Sequence, residues 1–274
     1  MTRPALPAAL VLLTVWGAPA FGAADTKRLD PEPGEFSWSH LNPPELQYGC
    51  VGSLDEKEEG LAKVLEKGDA DEQLAAARAL WKGRSRRHAA AVLKYLAGPP
   101  PGGAAFRAFR GAVEDALQPA AILRELQKGD YLWGTWLAFL RPHKDLVPVL
   151  LQGLKAHPDE RAETMLALGS SGDPRALAPL LELLAGKDYR AAGEAARALG
   201  YLGLDAAEPK LIEALAGGNP WRQVNASNAL ATLGSRKALP ALKKLAESDD
   251  DTGALNVRGC AARAVKRIER RTRP

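Results

Sequence analysis

The sequence is poor in the residues that most catalytic sites and most small scaffolds depend on. It has two cysteines, Cys50 and Cys260, in 274 residues, so disulfides do not staple this fold. The four histidines, His40, His88, His143 and His157, fall at no His-x-x-x-His spacing, and there is no Cys-x-x-Cys. Zinc and haem attachment motifs are thereby excluded. No serine lies in a Gly-x-Ser-x-Gly turn, which removes the nucleophile elbow. A Gly-x-x-x-x-Gly-Lys-Ser/Thr loop and a dinucleotide fingerprint are also missing. The net charge of +4 is slight for this length and does not argue for nucleic acid. No cofactor is implied. β-branched residues are sparse after the first segment, whereas Ala and Leu are abundant. With 46% hydrophobic and 26% charged residues, the composition is that of a folded, helix-rich protein.

The first segment reads as an export address. Arg3 precedes an apolar run from Ala8 to Trp16, followed by the small-x-small triplet Ala18-Pro19-Ala20. That order matches a secretory signal peptide over residues 1–20, with cleavage expected after Ala20. The run is too short to span a bilayer core of roughly 30 Å, and no later segment is long and apolar enough to do so. Pro4, Pro7, Gly17 and Pro19 also suit a docked helix badly. A periplasmic or secreted location follows as an expectation. Residues 21–52 contain Pro31, Pro33, Gly34, Pro43, Pro44 and Gly49, which interrupt regular structure. Phe36, Trp38, Leu41 and Tyr48 are apolar enough to lay this segment along whatever follows.

Residues 53–271 read as a solenoid of repeated helix pairs, with a period of 31 in its regular part. Ala167-Leu168-Gly169 is followed 31 residues later by Ala198-Leu199-Gly200, and 31 further on by Ala229-Leu230-Ala231. Leu180, Leu211 and Leu242 keep the same spacing, as do Pro209 and Pro240. Within a unit, Leu177, Leu180, Leu183 and Leu184 share one helical face. Gly172, Gly203 and Gly234 stand where a first helix would end in a left-handed residue. Asp173-Pro174 would cap and open the second helix. Less regular copies run from Leu74 to Leu96 and from Trp133 to Leu154, and loosely from Ala104 to Leu126. The Pro99–Gly103 run breaks the chain, and a half unit from Cys260 to Ile268 follows the Asp249–Gly253 loop. A helix pair of this kind cannot bury its apolar face alone, so the units must stack.

Arg161, Thr164, Ala167, Leu168, Gly169, Gly172, Asp173, Pro174, Ala176, Leu180, Leu183 and Leu184 carry a pattern that resembles the bacterial HEAT-like repeat, also called the phycobilisome-lyase-type HEAT repeat. The resemblance is good over 159–247, weaker over 70–155 and partial after that. It implies an all-α fold, a right-handed α-solenoid of about six helix pairs, with second helices lining the concave side. It is specific for architecture and says little about chemistry.

Repetition turns single residues into columns. Glu182, Glu213 and Lys244 form one, the candidate surface for a protein partner. Glu163, Glu194, Asn225 and Cys260 form another. Its glutamates could sit about 8–10 Å apart on adjacent helices, but a solvated face is the preferred reading over a catalytic pair. Trp221 and Arg222 follow Asn219-Pro220, a loop where an aromatic is hard to bury, and are a second partner-binding candidate. Tyr131, Trp133, Trp136 and Phe139 read as core. Arg84, Arg86, Arg87 and His88 form one basic patch. Arg263, Lys266, Arg267 and Arg270 share one face of the final helix, read as a polar cap on an exposed solenoid end whose charge complements the helix C-terminus. Asn225-Ala226-Ser227 is a glycosylation triplet in a predicted helix. Six units at roughly 10 Å would part Cys50 from Cys260 by about 50 Å. The two thiols are therefore unpaired, linked to another chain, or joined only if the stack curls.

The expected function is a non-catalytic, exported scaffold that binds another protein along the concave face of the solenoid. Two rivals stand beside it: a lyase or lyase-subunit-like protein, and an envelope protein that grips an anionic polymer through the basic patches.

Overall fold

The computed structural model describes residues 56–98, 103–248 and 256–273. The expected signal peptide with Ala20, the 21–52 segment with Cys50, most of the Pro99–Gly103 break and the 249–253 loop lie outside those residues. Among the described residues there are fourteen α-helices and no strand. The fold is an all-α solenoid of packed helix pairs. Contacts divide the described chain into two compact units, with the boundary in sequence between Ile122 and Leu123.

The first unit holds α1 (Glu56–Lys67), α2 (Ala70–Lys82), α3 (Arg86–Ala97), α4 (Ala104–Ala116) and the start of α5 (Pro119–Lys128). Helix α2 begins at a capping box, in which Asp69 accepts from the Glu72 amide and the Glu72 side chain accepts from the Asp69 amide. That reciprocal pair satisfies backbone donors a first turn otherwise leaves open. Leu80, Val92, Phe106, Val113 and Ile122 form the core. Arg78 lies 5.9 Å over the Phe109 ring and donates to the Ala105 carbonyl at 3.0 Å, tying α2 to α4.

The second unit carries the regular repeats. Its repeat units, in chain order, are α6 (Tyr131–Leu140) with α7 (Val147–Ala156), α8 (Arg161–Ser170) with α9 (Leu177–Ala185), α10 (Tyr189–Leu202) with α11 (Glu208–Leu215), and α12 (Pro220–Leu233) with α13 (Leu239–Ala246), and each second helix packs chiefly against the first helix that follows it. Helix α14 (Val257–Arg271) follows. Leu180, Leu211 and Leu242 are fully buried in equivalent places, as the 31-residue period requires. Each second helix opens with one turn of 3-10 helix before its α turns begin. Asp173 caps one such turn by accepting from the Arg175 amide at 2.9 Å. Arg175 also forks onto the Asp173 carboxylate and reaches the Lys144 carbonyl of the preceding pair at 2.9 Å. Gly172 and Gly203 take the expected left-handed conformation, with φ of 63° and 69°. Gly234 does not; its φ is −64°. It is small for another reason: a Cβ there would press on the Leu230 carbonyl and stand 3.2 Å from Ile268 Cδ1.

First helices of successive pairs pack tightly, whereas successive second helices barely touch. A Cβ on Gly169 would collide with the Ala198 carbonyl, and one on Gly200 would stand 3.0 Å from Ala229 Cα. Small residues let these backbones approach, so the first-helix row is the closer one and the second-helix row the wider.

Candidate interaction surface

The first helices leave little free surface. In α8 every residue from Glu163 to Ser170 is buried, and in α10 only Arg197 breaks the buried run from Ala191 to Leu199. A helix that is apolar and small on most of its circumference can be packed from several sides. The Glu163, Glu194, Asn225 and Cys260 column is buried as well. Its reading as a solvated face is overturned: tight packing of the first-helix row removes it from water. Glu194 pairs with Arg197 at 2.7 Å. That contact is close but poorly aligned for a hydrogen bond, since Arg197 Nε and Nη2 and Glu194 Oε2 lack a well-directed partner. Burial pushes the Glu194 carboxyl above its ordinary range, with Arg197 pulling the other way. Asn225 donates to the Trp221 carbonyl at 3.0 Å, so its amide is occupied inside the fold. Cys260 is a buried free thiol that accepts from Arg263 at 3.0 Å. Burial raises its pKa, against the pull of Arg263.

The aromatic cluster is core. Tyr131, Trp133, Trp136 and Phe139 are all buried. Trp136 stacks on Phe139 at 5.4 Å, and Phe139 meets the edge of Tyr201 at 5.5 Å. Tyr131 stacks on His157 at 3.7 Å, bonds the Thr164 hydroxyl at 3.1 Å and fills the notch above Gly153.

Trp221 and Arg222 are not presented to a partner. Asn219 caps α12 through the Arg222 amide at 2.9 Å and Pro220 opens the helix, which turns the Trp221 indole inward. It is buried and lies so close over Gly193 that a Cβ there would enter the ring. Arg222 folds back onto the Gly217 carbonyl at 3.3 Å. An aromatic beside a loop was thus the wrong sign of exposure; the glycine that receives it lies in the preceding pair.

The patch around His88 is already engaged. Ser85 donates to Glu58 at 2.7 Å and contacts His88 Nδ1 at 3.1 Å, and Arg87 pairs with Glu59 at 2.9 Å. His88 lies 3.7 Å from Glu58 and 3.9 Å from Glu59. With the serine proton given to Glu58, the proton on the Ser85–His88 contact belongs to Nδ1. A buried hydroxyl bound to a carboxylate, with no imidazole ready to accept its proton, is no nucleophile. The group clamps α3 onto α1.

The second helices behave differently. Glu182, Glu213 and Lys244 are all exposed, 31 residues apart on α9, α11 and α13. Glu213 pairs with Lys210 of its own helix at 2.7 Å, with both side chains more than half exposed, a contact that contributes little. Tyr189, between α9 and the body of α10, is 62% exposed. The charged column and this aromatic lie on parts of the repeats that their neighbours leave open.

Residues 183–257 match the family model described as HEAT repeats, and residues 160–186 match the one described as PBS lyase HEAT-like repeat. The matches support the HEAT-repeat family. No curated protein matches the chain. The HEAT repeat is in general a scaffold fold and a vehicle for protein interaction, and the lyase-like match covers a repeat motif and not a catalytic constellation. No helix among the described residues is long and apolar enough to cross a membrane.

Proposed function

We propose that this chain is an exported, non-catalytic HEAT-repeat scaffold on which a partner protein docks along the second helices. The observation that carries this is the division of labour in the second unit. First helices spend their surface on one another, while second helices keep a charged flank in water at Glu182, Glu213 and Lys244. A wide, shallow surface of this kind gains affinity by adding many modest contacts. Tyr189 supplies the aromatic area that such interfaces use as an anchor. Export rests on residues 1–20 alone.

The test compares the wild-type chain with the charge reversals Glu182→Lys, Glu213→Lys and Lys244→Glu combined. Each is captured from its native source and the bound proteins are quantified. A partner recovered by the wild type should be depleted at least about tenfold by the variant, a change of roughly 1.4 kcal/mol, with unchanged circular dichroism. Equal recovery rejects this surface. Mass spectrometry of the mature chain tests export: its first residue should be Phe21, and an intact Met1 form retained in the cytoplasm contradicts it.

A further inference from the structure

The slight net charge hides a strong asymmetry. Residues 236–274 hold eleven Lys and Arg against five Asp and Glu, the three aspartates at 249–251 included. That balance is +6 in a chain whose total is +4. Much of it sits on α14. Val257, Cys260, Ala261, Ala264 and Ile268 bury one half of this helix, and Arg258, Arg263, Lys266, Arg267 and Arg270 are exposed on the other. At 100° per residue, Lys266, Arg270 and Arg263 fall within roughly 60° of arc, and Arg258 and Arg267 flank them. The one acid on the helix, Glu269, is paired with Lys243 at 2.7 Å. Arg271 is committed elsewhere, donating to the Ala231 carbonyl at 2.9 Å and to the Gly234 carbonyl, where it caps the end of α12. Lys266 and Arg267 have no ion-pair partner among the described residues.

We infer that the exposed face of α14 is a docking surface for a phosphodiester polymer, held through its backbone and without reading of sequence. Three observations favour this occupant. The face is mostly arginine, whose planar fork matches phosphate oxygens in pairs. It is long enough: fifteen residues extend about 22 Å, enough to follow several phosphates. And it offers no apolar anchor, since the other exposed side chain in its middle is Ala262. A protein interface would need a desolvated core, and a membrane surface would need bulky apolar groups to insert. Counterion release from a polyanion needs charge alone. This surface lies on a different helix from the proposed protein-docking flank and does not depend on it.

The experiment titrates the full chain into fluorescent short duplex DNA, as a representative phosphodiester backbone, at several salt concentrations. With about four phosphates engaged, log K should fall against log salt with a slope of about −3.6. Combining Arg263→Gln, Lys266→Gln and Arg267→Gln should reduce the slope to about −1 and weaken binding more than about tenfold at low salt. Lys266→Gln with Arg267→Gln provides a milder variant should the triple change misfold, and its slope should fall by about two. Lys155→Gln with Lys187→Gln, exposed cations elsewhere, should leave both quantities unchanged. Two unrelated duplex sequences should bind alike. The inference is overturned by binding that ignores salt, or by a control variant as weak as the triple. Tighter binding to poly-L-glutamate or to vesicles of anionic phospholipid would overturn it too, assigning the face to an acidic protein or to a membrane.

Discussion

Replacing Leu211 with alanine tests the stacking at its centre. Leu211 lies in α11, fully buried, on a helix that packs against α12 of the next unit. The substitution removes three buried carbons and leaves a cavity in a place whose walls belong to several helices. Leu→Ala changes at such sites cost about 2–5 kcal/mol, and the upper half of that range applies where the surroundings cannot collapse. The Ala-rich first helices, already in backbone contact, have little room to move inward. The expected loss is therefore about 3–4 kcal/mol, or roughly 6–15 °C in Tm for a unit of this size. Differential scanning calorimetry with a urea titration reads both quantities. Glu213→Ala, two positions along the same helix and exposed, should change stability by less than about 0.5 kcal/mol. If the two variants behaved alike, or if Leu211→Ala cost under about 1 kcal/mol, Leu211 would not be holding neighbouring pairs together and the stacked picture would fail.

Three further expectations follow from the same packing. Gly169→Val should destabilise by about 2 kcal/mol or more, because its side chain must push against the Ala198 carbonyl; Gly172→Asn, at a left-handed turn with open space around it, should be nearly neutral, and urea midpoints distinguish them. Trp221→Ala should cost about 3–5 kcal/mol in thermal melts, whereas a binding role would lower partner affinity at unchanged stability. The third expectation concerns pH. Burial raises the Glu194 carboxyl in the fold, so the charged form is penalised there and that penalty grows as pH rises from the ordinary carboxylate range through the folded value. Acidification through that window should therefore move the stability difference between wild type and Glu194→Gln in favour of the wild type. Asp173 is the opposite case: hydrogen bonds from Arg175 lower its pKa, so its contribution is present above the ordinary value and lost as pH falls through the folded one. Wild type compared with Asp173→Asn should thus lose ground on acidification, and paired melts across pH 3 to 7 read both slopes.

The architecture was legible in the sequence because it rests on period and small residues. Leu180, Leu211 and Leu242 repeat every 31 positions, and buried apolar groups must recur with the helices that bury them. The side on which the stack tightens was equally readable in principle. Gly169, Ala198, Gly200 and Ala229 are small residues on first helices, and small residues mark where backbones approach. The polar column was misread because Glu163, Glu194 and Asn225 look like residues that want water. The corrective signal lay around them: with Ala191, Ala192, Ala195, Ala196 and Ala198 in one helix, few directions remain for a solvated stripe. The burial of Trp221 had no local signal at all. Its receiving notch is Gly193, 28 residues earlier, and only the stacking of α10 on α12 brings them together. The engagement of His88 has the same origin, since Glu58 and Glu59 belong to another helix. The basic character of α14 was visible residue by residue, but the near-neutral total masked how unevenly the charge is spread.

The most direct test of the scaffold reading is amide hydrogen exchange on the chain with and without its captured partner. Added protection should appear on α9, α11 and α13, around Glu182, Glu213 and Lys244, while α8, α10 and α12 exchange slowly in both states because their amides are already buried in the stack. Protection confined to the first helices, with the second-helix flank unchanged, would contradict the account.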